Sequence, residues 1–176
     1  HFKAPTGSAP GWGDAVMVTV GGPMATFKDC IYEGSHYMFA YNAGHASEDG
    51  PGIELDHCAV RVTGAAGGQN GRVVYMCPGA MAASKDFDVV HCTFINTAPA
   101  NPFALNWGNN TPKVTNCLFL NWGNVSEYGG VAVFDNNLEW PTECPLANKA
   151  EGTGNLVADP LLVNPAAASF WLLQAS

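Results

Sequence analysis

The sequence has little charge, and most of that charge is negative. Only 12% of its 176 residues are charged, and 15 acidic residues outweigh seven basic ones to give a formal net charge of −8. Proteins that bind nucleic acids or anionic membranes need basic patches. The composition therefore argues against both classes of partner.

Long apolar runs and helical periodicity are also lacking. No run approaches the ~18 apolar residues of a transmembrane helix, and we expect a secreted chain whose signal peptide was removed before His1. Few segments place apolar residues at helical spacing, so we expect almost no helix. The sequence contains no nucleophile elbow, zinc-ligand spacing, Walker motif or dinucleotide fingerprint.

The sequence does contain a repeat centred on cysteine. Four of the six cysteines lie in similar segments, which are ATFKDCIYEG around Cys30, IELDHCAVRV around Cys58, FDVVHCTFIN around Cys92 and PKVTNCLFLN around Cys117. Apolar residues stand three positions before and two positions after each cysteine. This alternation is typical of strands with one buried face.

The residue before each of these cysteines predicts a sharp bend. These residues are Asp29, His57, His91 and Asn116. Asp, His and Asn are the non-glycine types that best tolerate left-handed backbone angles. Each copy therefore predicts a strand, a one-residue bend and a second strand.

The spacing of the copies predicts the architecture. Repeats of ~20–50 residues indicate solenoids, propellers or arrays, and a second strand recurs between the copies at 37–44, 72–79, 103–110 and 131–137. Three strands per repeat with one tight bend predict an all-β, right-handed parallel β-helix (a solenoid) of about five coils. We expect Asp159 and Pro160 to replace the bend residue and cysteine in the last coil, with Leu162 facing inward.

The segment VTNCLFLN (114–121) resembles the repeat of pectate-lyase-like β-helix proteins. GNLVADPLLVNPAAASFWLL (154–173) resembles the closing coil of secreted bacterial β-helix proteins, so the resemblance covers most of 16–173. It implies a ladder of Asn-like residues in the bend. Asp56 and His57 are similar to a pectate-lyase segment whose aspartate binds calcium, but the R-x-P-x-x-R motif that carries catalysis in that family is absent.

The stacked arrangement predicts free thiols. Neighbouring parallel strands lie ~4.8 Å apart with parallel side chains, whereas a disulfide needs its Cβ atoms ~3.8 Å apart. We therefore expect buried, unpaired thiols that act as small hydrophobic groups, at Cys30, Cys58, Cys92 and Cys117. Cys77 and Cys144 lie outside this set, and they either pair, pinning the 135–153 loop, or stay free.

Three carboxylates form the first candidate site. Glu54, Asp56 and Asp88 are expected to point outward on neighbouring strands within ~5–8 Å of one another. Such oxygen ligands suit Ca²⁺, and paired carboxylates ~5–9.5 Å apart suit glycoside hydrolysis. The alternative is a solvated acidic face, partly balanced by Lys28 and Lys113.

Histidines and aromatic residues are further candidates. His57 and His91 share one column, where they either bind a metal, act as a catalytic pair or simply fill the bend. Asn109 and Asn124 begin glycosylation sequons on expected loops. Four aromatic residues on or near loops either stack on sugars or pack the loops onto the core, namely Trp107, Trp122, Tyr128 and Trp140.

These observations predict one domain and favour a structural role. Residues 1–15 are expected to form an irregular N-terminal arm or cap, and 16–176 the β-helix domain. Without a strong catalytic cluster or a capping helix, we expect a secreted, extracellular or cell-surface protein whose copies stack head to tail into a filament or surface layer. The alternative is a module that binds extracellular polysaccharide, or a polysaccharide lyase or glycoside hydrolase.

Overall fold

The computed structural model of the chain describes residues 2–3, 16–18, 25–34, 39–41, 53–62, 74–76, 87–97, 103–106, 113–122, 124–126, 132–141, 149–164 and 169–172. Within these ranges the structure is all-β and contains no helix, which confirms the predicted class. Accordingly, no helix in the described part of the chain is able to cross a membrane.

Twenty short strands make up the described structure. In chain order they are β1 (Phe2–Lys3), β2 (Val16–Val18), β3 (Ala25–Lys28), β4 (Ile31–Gly34), β5 (Phe39–Tyr41), β6 (Ile53–Asp56), β7 (Ala59–Val62), β8 (Val74–Met76), β9 (Phe87–Val90), β10 (Thr93–Asn96), β11 (Phe103–Asn106), β12 (Lys113–Thr115), β13 (Leu118–Leu120), β14 (Asn124–Ser126), β15 (Ala132–Asp135), β16 (Leu138–Trp140), β17 (Lys149–Glu151), β18 (Leu156–Val157), β19 (Leu162–Asn164) and β20 (Ser169–Leu172).

Three parallel sheets contain eighteen of these described strands. The pre-bend sheet has the order β17-β15-β12-β9-β6-β3, the post-bend sheet β1-β4-β7-β10-β13-β16-β18, and the third sheet β14-β11-β8-β5-β2. β19 and β20 form a separate antiparallel pair. Each strand of the parallel sheets thus lies beside its counterpart in the next repeat.

Equivalent apolar residues stack inside the post-bend sheet. Tyr32 is the register partner of Val60, Val60 of Phe94 and Phe94 of Phe119. All four side chains are fully buried. The Phe94 and Phe119 rings stack with their centroids 5.0 Å apart, and Phe134, on β15 of the pre-bend sheet, stacks on Phe119 with centroids 5.7 Å apart. The core is therefore a set of columns that run across the repeats.

A left-handed residue joins the pre-bend and post-bend strands of each repeat. Six residues occupy this position in the described part of the chain, namely Asp29 (φ 53°), His57 (53°), His91 (54°), Asn116 (56°), Asn136 (55°) and Gly154 (75°). The first four confirm the predicted bend. We call each strand–bend–strand segment a bend unit, and the described residues form six of them.

The last two bend units differ from the sequence prediction. The assignment of 131–137 to the second recurring strand is wrong, because β15 pairs with β12 in the pre-bend sheet. The assignment of the last bend to Asp159 and Pro160 is also wrong, because Leu138 is the register partner of Leu156, which places Gly154 in the bend. Asparagine replaces cysteine in both units, so the cysteine pattern missed them.

Glycine is required twice in the sixth unit. A Cβ on Gly152 would lie 1.9 Å from the carbonyl oxygen of Phe134, and one on Gly154 would lie 2.2 Å from Asn136 Oδ1. Gly154 also has positive φ, where a side chain is strained. The backbone of this unit therefore approaches its neighbour more closely than any side chain would allow.

The residue after each bend belongs to an inner ladder. Its members are Cys30, Cys58, Cys92, Cys117, Asn137 and Asn155. Each side chain from the third member onward accepts a hydrogen bond from the backbone N–H of the preceding member: Cys58 N donates to Cys92 Sγ (3.4 Å), Cys92 N to Cys117 Sγ (3.4 Å), Cys117 N to Asn137 Oδ1 (2.9 Å) and Asn137 N to Asn155 Oδ1 (2.9 Å).

The same side chains donate to the neighbouring pre-bend strand. Cys58 Sγ donates to the Phe27 carbonyl at 3.3 Å, and Cys92 Sγ to the Leu55 carbonyl at 3.5 Å. The Asn137 amide donates to the Val114 carbonyl at 2.9 Å. Cysteine and asparagine therefore serve one function, with a thiol acting as a weaker donor and acceptor than an amide.

We predict that the inner ladder stabilises the fold through these polar contacts and not by volume alone. Asn137→Ala leaves the buried Cys117 N–H and Val114 carbonyl without their ladder partner, which should lower the free energy of unfolding by about 2–4 kcal/mol. Asn137→Cys, which places a thiol where four other units have one, should lose less than half as much. Urea unfolding measures both, and equal losses would contradict the prediction.

Candidate functional site

The outer side of the bends carries a polar cluster. The bend side chains point to solvent while the ladder residues that follow them point inward. We define the bend cluster as Lys28, Asp56, His57, His91 and Asn116. It spans the pre-bend strands and bends of four successive units, although its members are up to 88 residues apart in the chain.

Asp56 is the centre of the bend cluster. Its Oδ2 accepts from Lys28 Nζ at 2.9 Å, while its Oδ1 faces His57 Nδ1 at 2.5 Å and His91 Nδ1 at 3.6 Å. The Asp56 side chain is only 16% exposed, compared with 53% for His57 and 48% for His91. The carboxylate therefore uses one oxygen for the lysine and presents the other to both imidazoles.

The two imidazoles stack on one another because they occupy the same position in consecutive units. Their ring centroids lie 4.5 Å apart with an interplanar angle of 32°. The far nitrogen of His91, Nε2, lies 3.3 Å from the Asn116 side-chain amide of the next unit. Asn116 thus fixes the orientation of the His91 ring.

The contacts of Asp56 keep it ionised. The pKa of Asp56 is lowered to about 2, and the hydrogen bond from Lys28 is the largest cause; partial burial opposes this shift and the hydrogen bond with His57 adds to it. Asp56 in turn raises the pKa of Lys28 through the same hydrogen bond. Asp56 is therefore suited to be a permanent acceptor or ligand and unsuited to donate a proton near neutral pH.

The bend cluster has the composition of a metal site. One ligand atom each from Asp56, His57 and His91 lies within 4.8 Å of the other two. This is the one such group of three among the residues that the structure describes. The histidine pair singled out from the sequence is thus brought together with one of the three candidate carboxylates.

The other two candidate carboxylates lie beside this group. Glu54 and Asp88 are register partners on β6 and β9. Glu54 Oε2 accepts a hydrogen bond from Thr26 Oγ1 at 3.0 Å. Asp88 is also the register partner of Lys113, which fits the expected charge balance. The calcium role of Glu54, Asp56 and Asp88 stays a prediction.

The thiols of the inner ladder are free, as expected. Cys58, Cys92 and Cys117 are buried, whereas Cys30 is only partly so. The hydrogen bond with Cys117 is the largest cause that raises the pKa of the Cys92 thiol to about 12, and the hydrogen bond with Cys92 together with burial raises the pKa of Cys58. These thiols stay protonated and contribute hydrogen bonds as well as apolar volume.

The remaining candidates have mixed outcomes. Trp122 is 3% exposed and donates from Nε1 to the Phe94 carbonyl at 3.1 Å, so it packs against the core. Trp140 ends β16 and is partly buried. Asn124 lies in strand β14 and not in the predicted loop. Five candidates lie outside the described residues, namely Cys77, Cys144, Asn109, Trp107 and Tyr128.

Sequence reasoning missed two members of the bend cluster. The sequence alone indicates a balancing charge at Lys28 and a bend former at Asn116. The sequence held a signal for both, because Lys28 precedes its bend residue as Asp56 does, and the repeat register places these two side by side.

No family model, curated protein or solved structure matches the chain.

We predict that the buried ladder thiols are protected from alkylation. Iodoacetamide at pH 8 should label Cys58, Cys92 and Cys117 only after unfolding, because all three are buried and the pKa values of Cys58 and Cys92 are raised, which suppresses the reactive thiolate. Mass spectrometry of peptides from native and urea-unfolded samples measures this. Rapid native labelling of Cys92 would contradict the prediction.

We also predict that Asp56 gives the fold part of its acid sensitivity. The pKa of Asp56 is lowered from an unfolded value of ~3.9 to about 2, so its stabilisation is complete above pH ~4 and is lost as the pH falls from ~4 to ~2. Asp56→Asn should flatten the decline of thermal stability across this window. Lys28→Met, which removes the main cause of the pKa shift, should have a similar effect. If thermal stability in both variants falls with pH as steeply as in the wild type, the prediction is wrong.

Proposed function

We propose that the chain is a right-handed parallel β-helix of a secreted, non-catalytic structural protein, and that its copies associate end to end. The proposed architecture is supported by the three parallel sheets, which share one strand order and one repeat. It is also supported by the pectate-lyase-like form of the repeats.

The observation that carries the end-to-end role lies at the sixth bend unit. Val157 occupies the inward column that contains Val60, Phe94 and Phe119, all of which are fully buried, yet Val157 is 52% exposed. Leu156 beside it is 62% exposed and Leu161 is 57% exposed. A further bend unit stacked on β18 would bury Val157 and partly cover Leu156, and a second copy could supply it.

A structural role also agrees with the ionisation and the hydrogen-bond partners of the carboxylates. Asp56 is ionised and held by Lys28, and Glu54 is engaged by Thr26. Retaining and inverting glycosidases need one carboxylic acid that is protonated near neutral pH. The lowered pKa of Asp56 disfavours it for that task.

We predict that the β18 end drives assembly. The purified chain should form concentration-dependent oligomers or filaments in sedimentation velocity and electron microscopy. The double variant Leu156→Lys and Val157→Lys should be monomeric, because two ammonium groups would be desolvated in the contact. The matched control is Val133→Lys, at a 40% exposed valine of an inner unit, which should assemble like the wild type.

Two results would contradict this proposal. One is a wild-type chain that stays monomeric at high concentration. The other is assembly that the lysine pair at 156 and 157 leaves intact, since the contact would then lie elsewhere.

A second candidate function is binding or cleavage of an extracellular acidic or neutral polysaccharide, with Ca²⁺ held by Glu54, Asp56 and Asp88. The observation that favours it is the register pairing of Glu54 with Asp88, which places two carboxylates on adjacent strands. Release of unsaturated uronides from pectin, alginate or chondroitin, dependent on Ca²⁺ and lost in Glu54→Ala, would establish it in place of the structural role.

A further inference from the structure

We propose that Asp56, His57 and His91 form a binding site for one divalent transition-metal ion of the zinc type. The site is independent of the end-to-end contact, since it lies on the second and third bend units and not on the sixth. It also differs from the predicted calcium site, with which it shares only Asp56.

The fold builds the site by repeating one backbone conformation. His57 and His91 have φ values of 53° and 54°, and each donates its backbone N–H to the next unit at 3.1 Å. Identical backbones in adjacent units send the two imidazoles out in the same direction, which gives the 4.5 Å ring stack. Asp56 precedes His57 at the end of β6, so its carboxylate lies at the base of the stack.

The distances suit a shared ion after small side-chain movements. Zinc bonds of ~2.0–2.2 Å to nitrogen and oxygen in a tetrahedral site separate the ligand atoms by ~3.4 Å. His91 Nδ1 lies 3.6 Å from Asp56 Oδ1, and all three ligand atoms lie within 4.8 Å of one another. His57 Nδ1 lies 2.5 Å from the same oxygen in a hydrogen bond, so the two atoms must separate by about 1 Å when the ion replaces the shared proton. Both imidazoles are about half exposed, so water has room to complete the coordination shell.

The types of donor atom determine which class of ion the site binds best. Imidazole nitrogen suits Zn²⁺, Cu²⁺ and Ni²⁺, whereas Ca²⁺ and Mg²⁺ take oxygen ligands. The described thiols are turned into the inner ladder by the same bend that turns the histidines out. The expected donor set is therefore two nitrogens and one oxygen, with no sulfur.

Two neighbours adjust the site. Lys28 occupies Asp56 Oδ2 at 2.9 Å and leaves Oδ1 for the ion. The Asn116 amide lies 3.3 Å from His91 Nε2. When Nδ1 binds a metal, Nε2 carries the proton and donates a hydrogen bond to the Asn116 amide oxygen after the amide turns over.

The test is titration of the untagged, metal-free chain with Zn²⁺ at pH 7.5 in a calorimeter. We expect one ion per chain, and an affinity that falls at least about tenfold in His57→Asn, in His91→Asn and in Asp56→Asn. Asparagine is the appropriate replacement for either histidine because Asn116 and Asn136 already form the same bend. His36→Asn, which removes a histidine that is not one of the proposed ligands, is the matched control and should bind like the wild type.

A second readout separates this site from adventitious thiol binding. Co²⁺ at the site should give visible ligand-field bands without the near-ultraviolet charge-transfer band of a cobalt thiolate. Circular dichroism of each variant checks that the fold is retained. No Zn²⁺ uptake, affinity unchanged in both folded histidine variants, or a thiolate band that dominates the cobalt spectrum would overturn the proposal.

Discussion

The structure depends on one backbone constraint, a single left-handed residue between two parallel strands that recurs in every bend unit. This residue turns its own side chain to solvent and the next side chain into the core. The inward side chain then bonds to two backbone groups of the preceding unit, as the Asn137 amide does with Cys117 N and the Val114 carbonyl. Each unit is held by the units beside it, so the stack is stabilised across neighbours and not within single strands.

The bend itself was predictable because few residue types tolerate positive φ. Asp29, His57, His91 and Asn116 share that tolerance, and the buried column followed from alternation around the cysteines. The fifth and sixth units were not predicted, because the pattern was anchored on cysteine as a small apolar group. Asn137 and Asn155 satisfy the same backbone groups through an amide, a chemical equivalence that hydropathy does not reveal.

The bend cluster was only partly predictable for a related reason. The sequence places His57 and His91 at equivalent positions. The direction in which a carboxylate points, however, depends on which cationic side chain pairs with it in the fold, and the sequence does not show this. Lys28 takes one oxygen of Asp56 and turns the other toward the imidazoles, so Asp56 joins the histidines and not Glu54 and Asp88. One bend thus produces both a protected thiol ladder and a line of exposed ligands.

The central claim is that the residues after the bends form one column. A sample labelled only at cysteine with ¹³C and ¹⁵N tests it most directly by nuclear Overhauser spectroscopy. Members of neighbouring units are separated by one strand spacing of ~4.8 Å, and alternate members by twice that distance. The account predicts cross-peaks that connect Cys30 to Cys58, Cys58 to Cys92 and Cys92 to Cys117, without a peak between Cys30 and Cys117. Cross-peaks in any other order, or none among these four residues, would contradict it.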